Sequence, residues 1–309
     1  LLVNQVLFDA SLAYFNWLKT YNEKRVYEDF LDNARTRFNG TKRQFATGYK
    51  PAIDTLEAGI TLQTRKLNLE KSRIKLIKSS LQLSNYLWLN ENTPIELQPN
   101  IIPDIELLSS VDAIFNLSLF NSKDFNVENH PKIKSLEFKI KSLSVNRNLQ
   151  RSNILPDLDV QYNFISQDGQ RINSFNNNNY KASVTFKLPI FLRKERGNLK
   201  LASIKLEDSK FEAESTKQQI SNKLLAIDQE LESYKIQNKL TNQIVTDYSS
   251  LLKAEERKFF LGESSLFLVN YRESKLIETR LKAVELENKF FESKANLFKT
   301  AVVNIDIAE

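Results

Sequence analysis

The sequence predicts a mainly α chain in which long antiparallel helices carry a single β-hairpin. Three observations predict it. The 309 residues include only 6 Gly and 7 Pro, with no Pro after Pro189, so helix breakers are scarce. Apolar residues recur every seven positions along two stripes of one segment. Two stretches of about nine residues switch instead to strict two-residue alternation.

Hydrophobic content of 41% and charged content of 27% lie near globular averages and exclude wholesale disorder. Cysteine is absent, which removes disulfides, thiolate nucleophiles and Cys-based metal sites. The 44 basic and 38 acidic side chains are interspersed, with no basic block of the nucleic-acid-binding kind. No run of eighteen apolar residues exists, so no transmembrane helix is expected. The chain opens on Leu1 inside a helical pattern and contains no Met. It therefore reads as an N-terminally truncated piece whose targeting signal would lie upstream.

A first helix is expected over residues 1–47, broken by Gly48-Tyr49-Lys50-Pro51, where Gly admits unusual dihedrals and Pro suits a new helix start. A second helix is expected over 52–89. Next comes a looser stretch with Pro94, Pro99 and Pro103 and a short helix near 105–117. Pro131 opens a helix reaching about Asn153. Strands follow at 157–166 and 180–188, separated by a polar loop, 167–179, that ends in four Asn. Helix returns over 194–261, roughly 100 Å at 1.5 Å per residue. Gly262-Glu263-Ser264-Ser265 interrupts it before a last helix over 266–303.

A repeat underlies this layout. A shift of 214 residues lays Arg43, Phe45 and Gly48 on Arg257, Phe259 and Gly262, and Leu62, Leu69, Leu76 and Leu83 on Leu276, Ala283, Phe290 and Leu297. In the second helix, those four Leu form one stripe, and Ile60, Leu67, Ile74, Leu81 and Trp88 form another. The two lie roughly 150° apart around the helix. A two-stranded coiled coil needs offsets of three and four along one seam, so opposed stripes imply a neighbour on each flank, as in a wall or ring. Lys66, Lys71, Arg73, Lys75 and Lys78 argue against deep burial.

In the strands, Leu158, Val160, Tyr162 and Phe164 alternate with Asp159, Gln161 and Asn163; Tyr180, Ala182, Val184, Phe186 and Leu188 alternate with Lys181, Ser183, Thr185 and Lys187. This is the pattern of membrane-spanning strands with lipid on one face and water on the other. A soluble hairpin capping a bundle would show the same alternation. In lipid, a lone pair would leave backbone groups unsatisfied, so it must join other strands in a closed barrel.

The combination resembles the TolC-like outer-membrane efflux proteins over essentially the whole chain. The match lies in the turn from Phe45 to Ala58 around Gly48, its counterpart from Phe259 to Leu266 around Gly262, and His130-Pro131 opening a helix that ends Arg151-Ser152-Asn153-Ile154-Leu155-Pro156. A fourth match is the strand exit Leu188-Pro189-Ile190-Phe191 leading through Arg196-Gly197. Two features depart from the pattern: the first strand pair and its preceding helix are absent, and the second turn lacks the acidic residue that Asp54 supplies in the first.

The resemblance implies a homotrimer with a twelve-stranded outer-membrane barrel and a periplasmic α-barrel. It divides the chain into a first-repeat periplasmic hairpin (1–90), an equatorial segment (91–130), a helix (131–156), a membrane β-hairpin (157–190) and a second-repeat periplasmic hairpin (191–309). It further implies a gated exit duct for efflux pumps or type I secretion, placed in the Gram-negative outer membrane with most of the chain in the periplasm. Its partners would be a periplasmic adaptor and an inner-membrane transporter, docking at helix tips 47–53 and 261–267. Gly48, Tyr49, Lys50, Pro51, Gly262, Glu263, Ser264 and Ser265 would form those tips, with Tyr49, Lys50, Glu263 and Ser264 exposed. Leu158, Val160, Tyr162, Phe164, Ala182, Val184 and Phe186 would face lipid. A soluble coiled-coil scaffold is the alternative.

No catalytic constellation stands against this reading. His130, the single histidine, has no acidic cluster at ligand spacing and marks a helix entry. No phosphate-cradling loop exists, and Glu255-Glu256 sit on an exposed helix face. No enzyme activity, cofactor or metal is expected, and no nucleic-acid partner.

Overall fold

A computed structural model of the chain describes residues 2–89, 92–98, 100–104, 107–117, 125–164, 180–188 and 191–302. The chain forms two compact units, Leu1–Phe125 with Asn222–Glu309, and Asn126–Ser221.

In the first unit, α1 (Leu2–Ala46) turns back into α2 (Ala52–Ser84), and the final part of α5 (Arg193–Phe260) turns back into α6 (Leu266–Ala301). The α1–α2 contact has a heptad seam on α2. Ala58, Leu62, Arg65, Ser72, Ser79 and Leu83 are buried, and Leu69 and Leu76 fill the remaining positions half-buried. The spacing alternates four and three, as knobs-into-holes packing requires. One stripe of this seam is the expected Leu62–Leu69–Leu76–Leu83 line. Its companion is polar, Arg65, Ser72 and Ser79, and so escapes a search for apolar periodicity. Small Ser side chains let the helices approach closely: Thr20 Oγ1 and Ser79 Oγ share a hydrogen bond of 2.6 Å, and Ser72 and Ser79 return their hydroxyl protons to Leu69 and Leu76 carbonyls. The second expected stripe, Ile60, Leu67, Ile74 and Leu81, stays exposed. One flank of α2 is thus covered within the chain, the other open.

Helix α2 ends at Ser84, five residues before its expected end. Asn85 and Tyr86 both donate to the Leu83 carbonyl, and Trp88 Nε1 closes the turn on the Asn85 carbonyl. Trp88 therefore leaves the helical stripe and joins Leu89 in a two-residue strand, β1 (Trp88–Leu89), paired with β2 (Thr93–Pro94). The segment beyond is pinned to the helices: Ser84 Oγ accepts from Leu97 N, and Tyr14 Oη donates to the Asp104 carbonyl. A short α3 (Leu107–Ile114) follows. Lys294 pairs with Asp112 at 2.7 Å, and the Phe115 and Phe298 rings stack at 5.0 Å.

The core of this unit lies where three helices meet: Val26 and Phe30 of α1, Leu252 of α5, and Val269, Leu276 and Ile277 of α6. Each such side chain leaving water contributes roughly 1.5–3 kcal/mol.

The second unit holds a 3-10 turn (Val127–Asn129), α4 (Pro131–Ser152), strands β3 (Asp157–Phe164) and β4 (Tyr180–Lys187), and the start of α5. His130 is buried and caps α4, its Nδ1 accepting from Lys132 N at 3.1 Å. Along α5, Ala202, Leu206, Ser209, Ala213, Thr216 and Ile220 are buried at alternating four and three spacing. Lys139–Glu212 and Lys217–Glu128 ion pairs, at 2.7 and 2.9 Å, tie α5 to α4 and the 3-10 turn. The expected loop at 167–179 and Pro189-Ile190 of the strand exit lie outside the described residues.

Candidate functional site

The β3–β4 register sorts the hairpin into two chemically distinct faces. Leu158 pairs with Phe186, Val160 with Val184, Tyr162 with Ala182 and Phe164 with Tyr180; on the other face Asp157 pairs with Lys187, Asp159 with Thr185, Gln161 with Ser183 and Asn163 with Lys181. A one-residue slip would have mixed the faces. Tyr162 and Tyr180 stack at 5.3 Å with planes 14° apart. Across the polar face Lys187 Nζ lies 3.3 Å from Asp159 Oδ2.

The apolar face is uncovered: Leu158, Val160, Tyr162, Ala182, Val184 and Phe186 are all exposed, Val160 at 72%. The side chain of Phe164 lies outside what is described. Each strand has eight residues, roughly 26 Å, about the height of the apolar band on an outer-membrane barrel. Among the described residues, β3 and β4 pair only with each other. No described helix is long and apolar enough to cross a membrane.

The two helix ends are built alike. Gly48 and Gly262 have φ of 76° and 80°, the left-handed region where a Cβ is strained. Gly48 N donates to the Phe45 carbonyl and Tyr49 N to that of Gln44; likewise Gly262 N donates to Phe259 and Glu263 N to Lys258. This paired pattern is the Schellman closure, which satisfies orphan carbonyls only when the residue after the cap turns left-handed. The 214-residue repeat thus holds in backbone detail.

The helices leaving the turns start differently. Pro51 begins α2 without a side-chain cap, whereas Ser265 Oγ accepts from Leu268 N to start α6. Gly48, Tyr49, Pro51, Gly262, Glu263 and Ser265 are exposed. Lys50 and Ser264, expected to be exposed, are instead half-buried because each has partners inside the chain. Lys50 pairs with Asp54 at 3.6 Å and sits 4.5 Å from the Phe259 ring centre, joining the two turns. Ser264 hydrogen-bonds Glu255. Large apolar side chains beside the turns remain open to solvent, Phe260 at 89% and Ile53 at 70%.

The chain belongs to the outer membrane efflux protein family. Residues 126–301 match that family, more than half of the chain. The fold is that of solved outer-membrane channels. One is CmeC of Campylobacter jejuni (TM-score 0.72, 14% identity, 99% of this chain and 64% of that one). VceC of Vibrio cholerae is similar (0.75, 12%, 98% and 71%), as is the open state of MtrE from Neisseria gonorrhoeae (0.62, 14%, 95% and 67%). The chain spans about two-thirds of the length of such channels. No curated protein matches it. Its fold is TolC-like, mainly helical, with the β-hairpin in place.

Sequence reasoning missed one cluster in this efflux-family chain. Glu273 of α6, with no exposed surface, lies 2.7 Å from Arg37 Nη2 of α1 and 3.3 Å from Arg65 Nη2 of α2. Arg37 also reaches Glu256 of α5 at 3.2 Å and Asn270 Oδ1 at 3.1 Å. Arg65 donates to Ser274 Oγ, and Asn270 Nδ2 to Glu57. One buried carboxylate thereby connects both helical hairpins eleven residues beyond Gly262. A signal existed: Glu273 stands among Val269, Leu276 and Ile277, where the helix face is otherwise apolar.

Proposed function

We propose that this chain is most of one subunit of a passive exit duct in the Gram-negative outer membrane, serving a tripartite efflux pump or a type I secretion system. Three copies would build the duct, each adding its hairpin to one closed barrel, while the helices stand side by side in the periplasm. The observation that carries this reading is the in-register apolar face of β3–β4, uncovered and, among the described residues, with each strand paired only to the other. In water such a face is unfavourable. In lipid it is favourable only if the edge N–H and C=O groups find partners, since each unpaired group costs several kcal/mol there. Further strands brought by other copies would supply them.

Transport specificity would lie with the partners, and no chemical step is assigned to the duct. The matched turns at Gly48 and Gly262 carry the docking end. Tyr49, Pro51, Glu263 and Ser265 offer exposed polar and aromatic groups to a periplasmic adaptor, beyond which sits the inner-membrane transporter. Lys50 and Ser264 act from within, holding the two turns in shape. Opening would follow from a shift of the helix pairs near these tips.

The test is export in cells whose duct carries bulky residues at both Gly48 and Gly262. Loss of export with trimers still in the outer membrane supports tip docking; intact export counts decisively against it.

A further inference from the structure

At the end of the hairpin where its strands join α4 and α5, the surface chemistry changes within a few residues. Leu188 continues the apolar face of β4 by its two-residue spacing and is exposed. Phe191 follows, 83% exposed, and Leu155 stands exposed just before β3. Then come cations: Arg193, Lys194, Arg196 and Lys200 on α5, and Arg151 in the last turn of α4. All five are exposed, and among the described residues none of them forms an ion pair. Asp157 and Lys187 are paired at the strand ends, so the two groups of cations flank one end of one hairpin. Twelve residues along each helix from the Lys139–Glu212 ion pair, Arg151 stands level with Lys200.

This charge is concentrated, and it does not serve the helix. Residues 151–159 and 187–200 hold six basic and three acidic side chains. The excess of three is half of the net +6 carried by all 309 residues. Arg193, Lys194 and Arg196 open α5, where the helix dipole favours acidic groups and disfavours cations. Helix stability therefore gives no reason for them.

We infer that this end of the hairpin is a collar for anionic phospholipid, with Leu188 and Phe191 at the edge of the hydrocarbon and the α5 cations on headgroup phosphates. This rests on the reading of the hairpin as membrane-spanning. The order along the chain is the order of depth in a leaflet: apolar strand, exposed aromatic, then cations. Arg meets phosphate through two parallel hydrogen bonds, and Lys meets it as a point charge. The opposite end of the hairpin is different. There Tyr162 stacks on Tyr180, and Lys181 is the one cation among described residues 160–164 and 180–184. The excess charge thus selects a single leaflet, the one on the side of the helices.

The test uses the full-length protein in phosphatidylcholine vesicles with a trace of spin-labelled phosphatidylglycerol or spin-labelled phosphatidylcholine. Electron spin resonance reads the fraction of each lipid held at the protein surface. At low salt the intact protein is expected to prefer phosphatidylglycerol about threefold or more. Arg193→Gln with Lys194→Gln and Arg196→Gln is expected to bring the ratio close to one. Arg193→Lys with Arg196→Lys keeps the charge and is expected to keep the preference. Lys66→Gln with Lys71→Gln and Lys78→Gln removes as much charge from α2 and is expected to keep it too. Equal retention of both lipids by the intact protein, or a ratio unmoved in the triple α5 variant, overturns the collar and leaves the duct reading standing. Failure of the intact protein to enter vesicles overturns both. Equal retention of both lipids, with binding to purified peptidoglycan lost in the triple α5 variant, assigns these cations to the cell wall and overturns the lipid proposal.

Discussion

Arg37 and Glu273 meet at 2.7 Å in a place where the Glu273 carboxylate has no contact with solvent. Arg65 approaches the same carboxylate from α2, so Glu273→Ala removes the buried counter-ion that two guanidinium groups share, leaving Arg37 with Glu256 and Asn270 and Arg65 with Ser274. The expected loss is about 3–5 kcal/mol, the usual cost of breaking a buried pair from one side. Replacing all three together by Leu removes the stranded charges and is expected to cost much less. Denaturant titration of the detergent-solubilised protein compares the two variants.

The register of the hairpin makes its two faces unequal. Val160→Lys or Val184→Lys puts charge on the apolar face and is expected to cost about 2–4 kcal/mol at mid-membrane depth, abolishing stable insertion. Ser183→Lys, on the polar face opposite Gln161, is expected to insert normally. Outer-membrane yield of the three variants is the measurement.

Gly48 and Gly262 hold left-handed backbone that a β-branched residue resists by about 1–2 kcal/mol. That strain is too small to unfold helices of 45 and 68 residues. Gly48→Val with Gly262→Val is therefore expected to assemble at wild-type levels while failing to export. Trimer yield and export rate, measured in one strain, separate assembly from docking.

Burial pushes the Glu287 carboxyl above its ordinary range, so folding favours its protonated form. The stabilising contribution is complete below the ordinary carboxylate pKa and is lost as pH rises through the raised value. Glu287→Gln mimics the protonated group at every pH. It is expected to raise Tm on the order of 1–2 °C at pH 7 and to leave it unchanged near pH 4. Melting curves at the two pH values check the sign.

Much of the fold was legible because two periods, 3.6 and 2, carry it. The five long helices and both strand faces follow from them, and the Gly48 and Gly262 turns follow from residue type. What escaped was polar. The α1–α2 seam hides behind Arg65, which serves through its ion pair, and Ser72 and Ser79, which serve through small size and hydrogen bonding. The early end of α2 depends on Asn85 and Trp88 closing a turn, which the stripe through Trp88 disguised. The partners of Lys50 and Ser264 come from Phe259 and Glu255, and nothing local in the sequence announces Lys50 meeting a residue more than two hundred positions away. Glu273 could have been flagged as a charge on an apolar face, but its two Arg partners could not have been named.

The central claim, a channel built from several copies around one barrel, is tested most directly by purifying the full-length protein from outer membranes. Its mass in detergent is measured, and then its conductance in a planar bilayer. The account predicts a trimer, stable in detergent, that conducts ions. A protein recovered freely soluble as a monomer or dimer, with no conductance, would contradict it.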